Sequence, residues 1–261
     1  MWKILFPPPI VLLIFSLFFN VTQQTYADEI SIVADPWCPY TCADVKNRPG
    51  ALIEIAQKIF EPLGHKVTYH LRPWSRAIIE TELGKFDAIA GVPLNSPKGF
   101  YYPENMQALA TSCIFTKSGI TWRYHNPNDL KQVNLGVIAD YQYDVAIRHY
   151  LLDNPKSKNI SRIFGENDTL FRLFTIMKIG RIDALIEERH VFDEMIRKNG
   201  FDPALYNKNY CFQTGPIYIA FSPHKKASEK FQKLLSVGMR SLKNSGELAS
   251  IMKKYSLDNP P

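Results

Sequence analysis

Three groups of aromatic and charged residues stand where short apolar runs give way to polar sequence. Trp37 and Tyr40 follow Ile30–Ala34, Trp74 and Arg76 follow Val67–Leu71, and Tyr141 and Tyr143 follow Leu135–Ala139. A fourth run, Ala184–Ile186, leads into Glu187 and Glu188. Aromatic faces beside a few charges suit noncovalent holding of a small polar or charged solute: the rings supply contact area and the charges fix orientation. The parts for covalent chemistry are missing, since the chain has no nucleophile elbow, zinc-binding helix or glycine-rich phosphate loop. The six histidines are scattered and none sits in a metal-ligand spacing, so no metal and no cofactor is expected. An enzyme reading would rest on Glu188, the one fair acid–base candidate.

Each candidate also has a plainer reading. Trp37 could only shield the loop between Cys38 and Cys42, and Arg76 could pair with Glu80 one turn on. Side chains alternate along a strand, so one of Glu187 and Glu188 faces a cleft and the other faces away. Glu188 is taken as the inward one and as an ammonium partner, with a solvated pair to Arg189 as the alternative. Asp140 reads as the N-cap of the helix that starts near Tyr143. Asp87 and Asp183 read as turn-capping acids outside the site, and Arg172 as solvated helix surface.

These residues need elements to carry them. The spacing predicts strands over Ile30–Ala34, Val67–Leu71, Leu135–Ala139, Ile160–Phe164 and Ala184–Ile186. Between them it predicts helices over Ala51–Leu63, Trp74–Leu83, Tyr143–Leu152, Asn167–Ile179 and Val191–Lys198. Such alternation implies parallel sheets covered by helices on both faces. An internal echo sharpens the picture. Gly84-Lys85-Phe86-Asp87-Ala88-Ile89 returns as Gly180-Arg181-Ile182-Asp183-Ala184-Leu185, and Val33-Ala34-Asp35-Pro36-Trp37 returns as Ile138-Ala139-Asp140-Tyr141-Gln142. Two echoes in one order point to two related α/β lobes. The apolar strands Ala110–Thr116 and Ile217–Phe221 break the alternation at the edges of the second repeat, where the chain would cross between lobes and return as a hinge. Helices after Phe221, with Phe231, Leu234, Leu235, Met239 and Leu242 on one face, are expected to pack back on the first lobe.

The 261 residues allow one domain or two small ones, and 46% hydrophobic against 21% charged residues excludes a disordered polar chain. A formal charge of +6 without a basic run is a weak sign of nucleic acid, and none is expected as a partner. Residues 1–27 read as a secretory signal peptide: Lys3, the apolar stretch Ile10–Phe19, then Thr25-Tyr26-Ala27. An uncleaved anchor is the rival, but ten apolar residues behind Pro7, Pro8 and Pro9 are too few to span a bilayer. Export agrees with four cysteines used as structural disulfides. Cys38 and Cys42 are close enough to staple one loop, and Cys113 and Cys211 are left to pair or to remain free. Sequence alone leaves the connectivity open.

The chain resembles the bacterial extracellular solute-binding proteins of family 3, the polar amino-acid-binding type of periplasmic protein. The likeness is carried by Asp35-Pro36-Trp37-Cys38-Pro39-Tyr40, Pro73-Trp74-Ser75-Arg76, Gly84-Lys85-Phe86-Asp87-Ala88, Leu135-Gly136-Val137, Gly180-Arg181-Ile182-Asp183-Ala184 and Tyr218-Ile219-Ala220-Phe221-Ser222. It implies the type 2 periplasmic-binding-protein fold: two α/β lobes, each a mainly parallel sheet flanked by helices, joined by two hinge strands. The lobes would be 28–115 with 217–261, and the inserted 116–216.

Relatives that bind amino acids hold the carboxylate with an Arg after the third strand and the ammonium with an Asp after the second Asp-Ala strand. Matching positions here are Lys98 and Glu188, which keep both charge signs but neither geometry: Lys lacks the planar two-pronged donor of Arg, and Glu is one methylene longer. The resemblance implies a monomeric periplasmic protein that captures a small polar solute and delivers it to an ABC-type membrane permease. Two other roles known on this fold stand beside it: a cyclohexadienyl dehydratase-like enzyme and a soluble sensory ligand-binding partner.

Overall fold

The computed structural model describes residues 28–164 and 168–261. The expected leader, residues 1–27, lies outside them, as does Asn167 at the start of one expected helix. The first lobe opens with β1 (Glu29–Ala34), α1 (Ala51–Phe60), β2 (Lys66–Leu71), α2 (Trp74–Glu82), β3 (Ala88–Pro93) and the short β4 (Ala108–Ala110). The second runs through β5 (Ser112–Lys117), β6 (Leu135–Ile138), α3 (Val145–Asp153), β7 (Ile160–Ile163), α4 (Thr169–Lys178), β8 (Ala184–Glu188), α5 (Arg189–Lys198) and β9 (Tyr206–Cys211). The chain then returns to the first lobe as β10 (Gly215–Phe221), α6 (Ser228–Ser245) and α7 (Glu247–Lys254). Among the described residues no helix is long and apolar enough to cross a membrane.

The two sheets share one plan. The first has the order β2-β1-β3-β10-β4 and the second β7-β6-β8-β5-β9. In each, three parallel strands are followed by a fourth that runs antiparallel to them, the strand that has just crossed from the other lobe, and a fifth pairs antiparallel to that fourth. The echoed segments superpose in role. Asp87 accepts hydrogen bonds from the Ser31 backbone N–H (2.9 Å) and hydroxyl (2.5 Å), and Asp183 accepts from the Asn134 backbone N–H (2.8 Å) and side-chain amide (3.0 Å). Each aspartate thus ties the entry of β3 or β8 to the start of the neighbouring parallel strand, β1 or β6, instead of capping its own turn as expected.

Periodicity explains most of the packing. Leu52, Ile55, Ala56 and Ile59 of α1 are all buried at helical spacing, and Phe231, Leu235, Met239 and Leu242 of α6 are buried beside them. Removing each large aliphatic side chain from water stabilises the fold by roughly 1.5–3 kcal/mol. Gly238 lets the two helices approach: a Cβ there would come within 2.3 Å of Ile59. Strand β1 is buried at Ile30, Ile32, Val33 and Ala34, on both faces, as a parallel strand between helices must be.

Four further local expectations change. Leu63 is 52% exposed instead of buried, because Pro62 lacks an N–H and the last turn tightens into a 3-10 turn over Glu61–Leu63. Asp140 does not cap α3; it adopts a left-handed backbone (φ 66°), and the cap is Asp144, which accepts from the Ala146 N–H at 2.9 Å. The expected α5 start at Val191 moves back to Arg189. The expected hinge strand Ala110–Thr116 is two strands in different sheets with Thr111 between them. The chain therefore changes lobes at Thr111 and again between Cys211 and Gly215, a few residues before the expected boundaries. The two crossings touch, the Thr111 and Thr214 hydroxyls lying 2.6 Å apart.

Both disulfides form: Cys38–Cys42, and Cys113–Cys211 across the paired strands β5 and β9. The second closes a loop of sequence separation 98, the first of only 4. Replacing Cys113 and Cys211 by Ser should therefore cost about 4–5 kcal/mol of stability, against about 2 for the Cys38/Cys42 pair, if loop-closure entropy dominates. Urea unfolding of the two double variants checks this, and equal losses would contradict it.

Candidate functional site

The C-terminal ends of β1, β2, β6 and β8 converge between the lobes, where ligands of open α/β sheets collect. A cavity of about 880 Å³ lies there, next to a smaller one of about 240 Å³. Asp35, Trp37, Trp74 and Tyr141 line both. The first three come from the first lobe and Tyr141 from the second, so the cavities are walled by both halves. Gly50 shapes the loop behind Trp37: its φ of 105° and the 2.4 Å that would separate a Cβ from the Tyr40 carbonyl oxygen admit only glycine.

Side chains join the lobes directly across the cleft. The Tyr141 hydroxyl donates to Asp35 at 2.5 Å, and Trp37 Nε1–H donates to Glu187 at 3.0 Å. Ser75 donates to Asp140 at 2.8 Å, and Arg48 pairs with Glu194 at 2.7 Å. Asp35 and Asp140, equivalent in the second echo, each accept from the opposite lobe. The echo therefore marks the rim of the cleft as well as the duplicated core.

Burial raises the pKa of three carboxyls at this place. Burial raises Glu187 to about 8, opposed by the bonds from Trp37 and the Glu188 N–H and reinforced by the charges of Glu188 and Asp35. Burial raises Glu188 to about 7 against the pull of three backbone N–H groups, from Thr111, Val191 and His190. Burial raises Asp35 to about 6, opposed by Tyr141. A carboxyl whose folded pKa exceeds its unfolded value binds extra protons when folded, so stability falls as pH rises between the two values. Here that window runs from about 4.5 to about 8. His190, whose pKa burial lowers below 6.5, gives the opposite slope on the acid side. The melting temperature measured without added ligand should therefore fall from pH 6.5 to 8, and Glu187→Gln should flatten most of the fall above pH 7. A flat wild-type profile would contradict the burial of these acids.

The residues singled out from sequence divide clearly. Trp37, Trp74 and Tyr141 meet at the cavities, and Tyr143 lines the smaller one while its hydroxyl braces the Ile138 N–H at 2.7 Å. Tyr40 is fully buried behind Trp37, stacked on it at 4.6 Å and donating to the Leu109 carbonyl at 2.7 Å. Arg76 lines neither cavity and pairs with the buried Glu80 at 3.0 Å, beside Arg72 and Lys85. Lys98 is exposed and lines neither cavity. Glu188 faces away from the cleft: it caps α5, accepting from His190 (2.6 Å), Val191 (3.0 Å) and Thr111 (3.2 Å). Its neighbour Glu187 takes the inward place. Asp35, Arg48 and Glu194 were not singled out. The echo with Asp140 could have found Asp35, whereas Arg48 and Glu194 meet across 146 residues with no local signal.

A two-lobe body with this strand order and a mixed polar and aromatic cleft can be compared with known proteins. The model of the bacterial extracellular solute-binding proteins, family 3, matches residues 30–258. The chain belongs to that family. No curated protein matches this family 3 chain by sequence. Among solved structures it is similar to a mutant of ArgBP from T. maritima, at 17% identity over 87% of this chain and 94% of that one, TM-score 0.69. It is also similar to a histidine kinase sensor domain with similarity to periplasmic binding proteins (17%, 89% and 98%, TM-score 0.72). A third is an ancestral amino-acid-binding protein described as a precursor of cyclohexadienyl dehydratase (18%, 87% and 94%, TM-score 0.65). At such identities the likeness shows the fold: the family 3 chain has the two-lobe α/β architecture of periplasmic binding proteins.

Proposed function

We propose that this protein captures a small polar or charged solute, an amino acid or a related compound, between its lobes and delivers it to an ABC-type permease. It is read as a monomer exported to the periplasm by residues 1–27, with catalysis absent. The observation that carries the reading is the pair of bonds Asp35–Tyr141 and Trp37–Glu187, which join the lobes across cavity-lining residues. A solute enclosed there touches both halves, so its binding energy favours the closed arrangement over the open one. Of the charged anchors inferred by resemblance, neither Lys98 nor Glu188 serves this reading; Glu187 and Asp35 take their place.

Intrinsic tryptophan fluorescence and thermal melting against a panel of amino acids, amines, oligosaccharides and organic acids test it. The true ligand at a hundred times its Kd should add about 2.7 kcal/mol of stability and give a saturable signal from Trp37 and Trp74. No response across the panel would overturn the reading. One observation favours an enzyme as the second reading: Glu187 lines the cavity with a carboxyl whose pKa burial raises to about 8, which suits a general acid. Turnover of arogenate or prephenate by purified protein, lost in Glu187→Gln, would decide for it.

A further inference from the structure

The main cavity is acidic although the chain is basic overall. Among the described residues six acids line it (Asp35, Asp44, Asp140, Asp168, Glu187 and Glu194) against two bases, Arg48 and Lys198, while the whole sequence carries +6. The bases are poorly placed to receive an anion. Arg48 is committed to Glu194 at 2.7 Å and lies over the Tyr255 ring at 5.1 Å. Lys198 is exposed at the end of α5. Arg76 and Lys98, the other basic candidates, line neither cavity.

Two of these acids have no cation among the described residues. Among the described residues the Asp35 carboxyl is met by the Tyr141 hydroxyl and Glu187 by Trp37 and a backbone N–H. Glu187 is 3% exposed, and its second oxygen, Oε2, is buried with no hydrogen-bond partner among the described residues. Left without a cation, a buried carboxyl keeps its proton, and a positively charged group between the two would favour the ionised form of both and pair with it. The walls suit the same guest: the aromatic side chains of Trp37, Trp74 and Tyr141 line the cavity, and such rings attract organic cations through their quadrupole.

Resting on the solute-binding reading, we infer that the cleft selects an organic cation without a carboxylate, an amine or guanidine, over the corresponding zwitterionic amino acid. A carboxylate carried into this cavity would face the Asp35 charge, keep Glu187 from ionising, and find no free basic group beside them among the described residues. An amine or guanidine of the same length keeps the attraction and leaves out the repulsion.

Isothermal titration of the purified protein with matched pairs isolates the carboxylate: agmatine against L-arginine, 1,5-diaminopentane against L-lysine, and choline against glycine betaine. In at least one pair the decarboxylated or carboxylate-free member should bind tenfold tighter or more, and Glu187→Gln should weaken that member by tenfold or more. If instead the amino acid or betaine binds as tightly or tighter in every pair that responds, the inference is overturned while solute binding stands. The same holds if only an anion or a neutral compound from the wider panel binds. Silence across the whole panel overturns solute binding itself. Should Glu187→Gln fail to fold, the pairwise comparison on the wild-type protein still decides, and Asp35→Asn supplies the second variant.

Discussion

Trp37→Ala should weaken binding of the solute by about a hundredfold, the equivalent of about 2.7 kcal/mol. Trp37 does two things at once. Its ring walls both cavities, and its Nε1–H reaches Glu187 on the other lobe at 3.0 Å. Truncation removes an aromatic contact face, the kind of group that dominates binding energetics, and also a bond that exists only when the lobes are together. Both losses fall on the closed state. Titration calorimetry with the solute identified by native mass spectrometry of the purified protein measures the change. Arg76→Ala and Lys98→Ala are the controls: both are exposed and outside the cavities, so each should shift affinity by no more than about twofold. A large effect at Arg76 or Lys98, with little at Trp37, would relocate the site.

Glu188→Ala should cost about 2–4 kcal/mol of stability, because it removes a helix cap and strands a buried donor. The carboxylate accepts from two N–H groups in the first turn of α5 and from Thr111, the residue at which the chain changes lobes. Glu188→Gln keeps one acceptor oxygen and should recover part of the loss. Denaturant unfolding reads both variants. Adjacent residues would then have different phenotypes: Glu188 replacement weakens the fold, and Glu187 replacement weakens binding and removes most of the loss of stability above pH 7. A loss of affinity at Glu188 without a loss of stability would contradict this division.

That division shows where sequence reasoning stopped. Alternation along β8 establishes that Glu187 and Glu188 point in opposite directions, but its phase depends on the element that comes after the strand. Because α5 begins at Arg189, immediately after β8, Glu188 becomes an N-cap and its side chain turns back on the helix. The lobes themselves were legible because apolar periodicity and the Gly-x-x-Asp-Ala echo are local signals, and Asp87 and Asp183 act as the echo suggests. Trp37, Trp74 and Tyr141 were legible because they follow strands whose ends form the cleft. Tyr40 obeys the same rule yet turns inward, held by the Leu109 carbonyl on β4. Such a partner lies 69 residues away, and only the assembled sheet supplies it. The Arg48–Glu194 pair is the same kind of case on a larger scale, joining a loop beside the Cys38–Cys42 disulfide in one lobe to a helix of the other.

The most direct test is a crystal structure of the protein purified with its bound solute. Density for the solute should lie between the lobes, in contact with Trp37, Trp74, Tyr141 and Glu187. A solute seated elsewhere, with those four side chains touching only solvent or each other, would contradict the account.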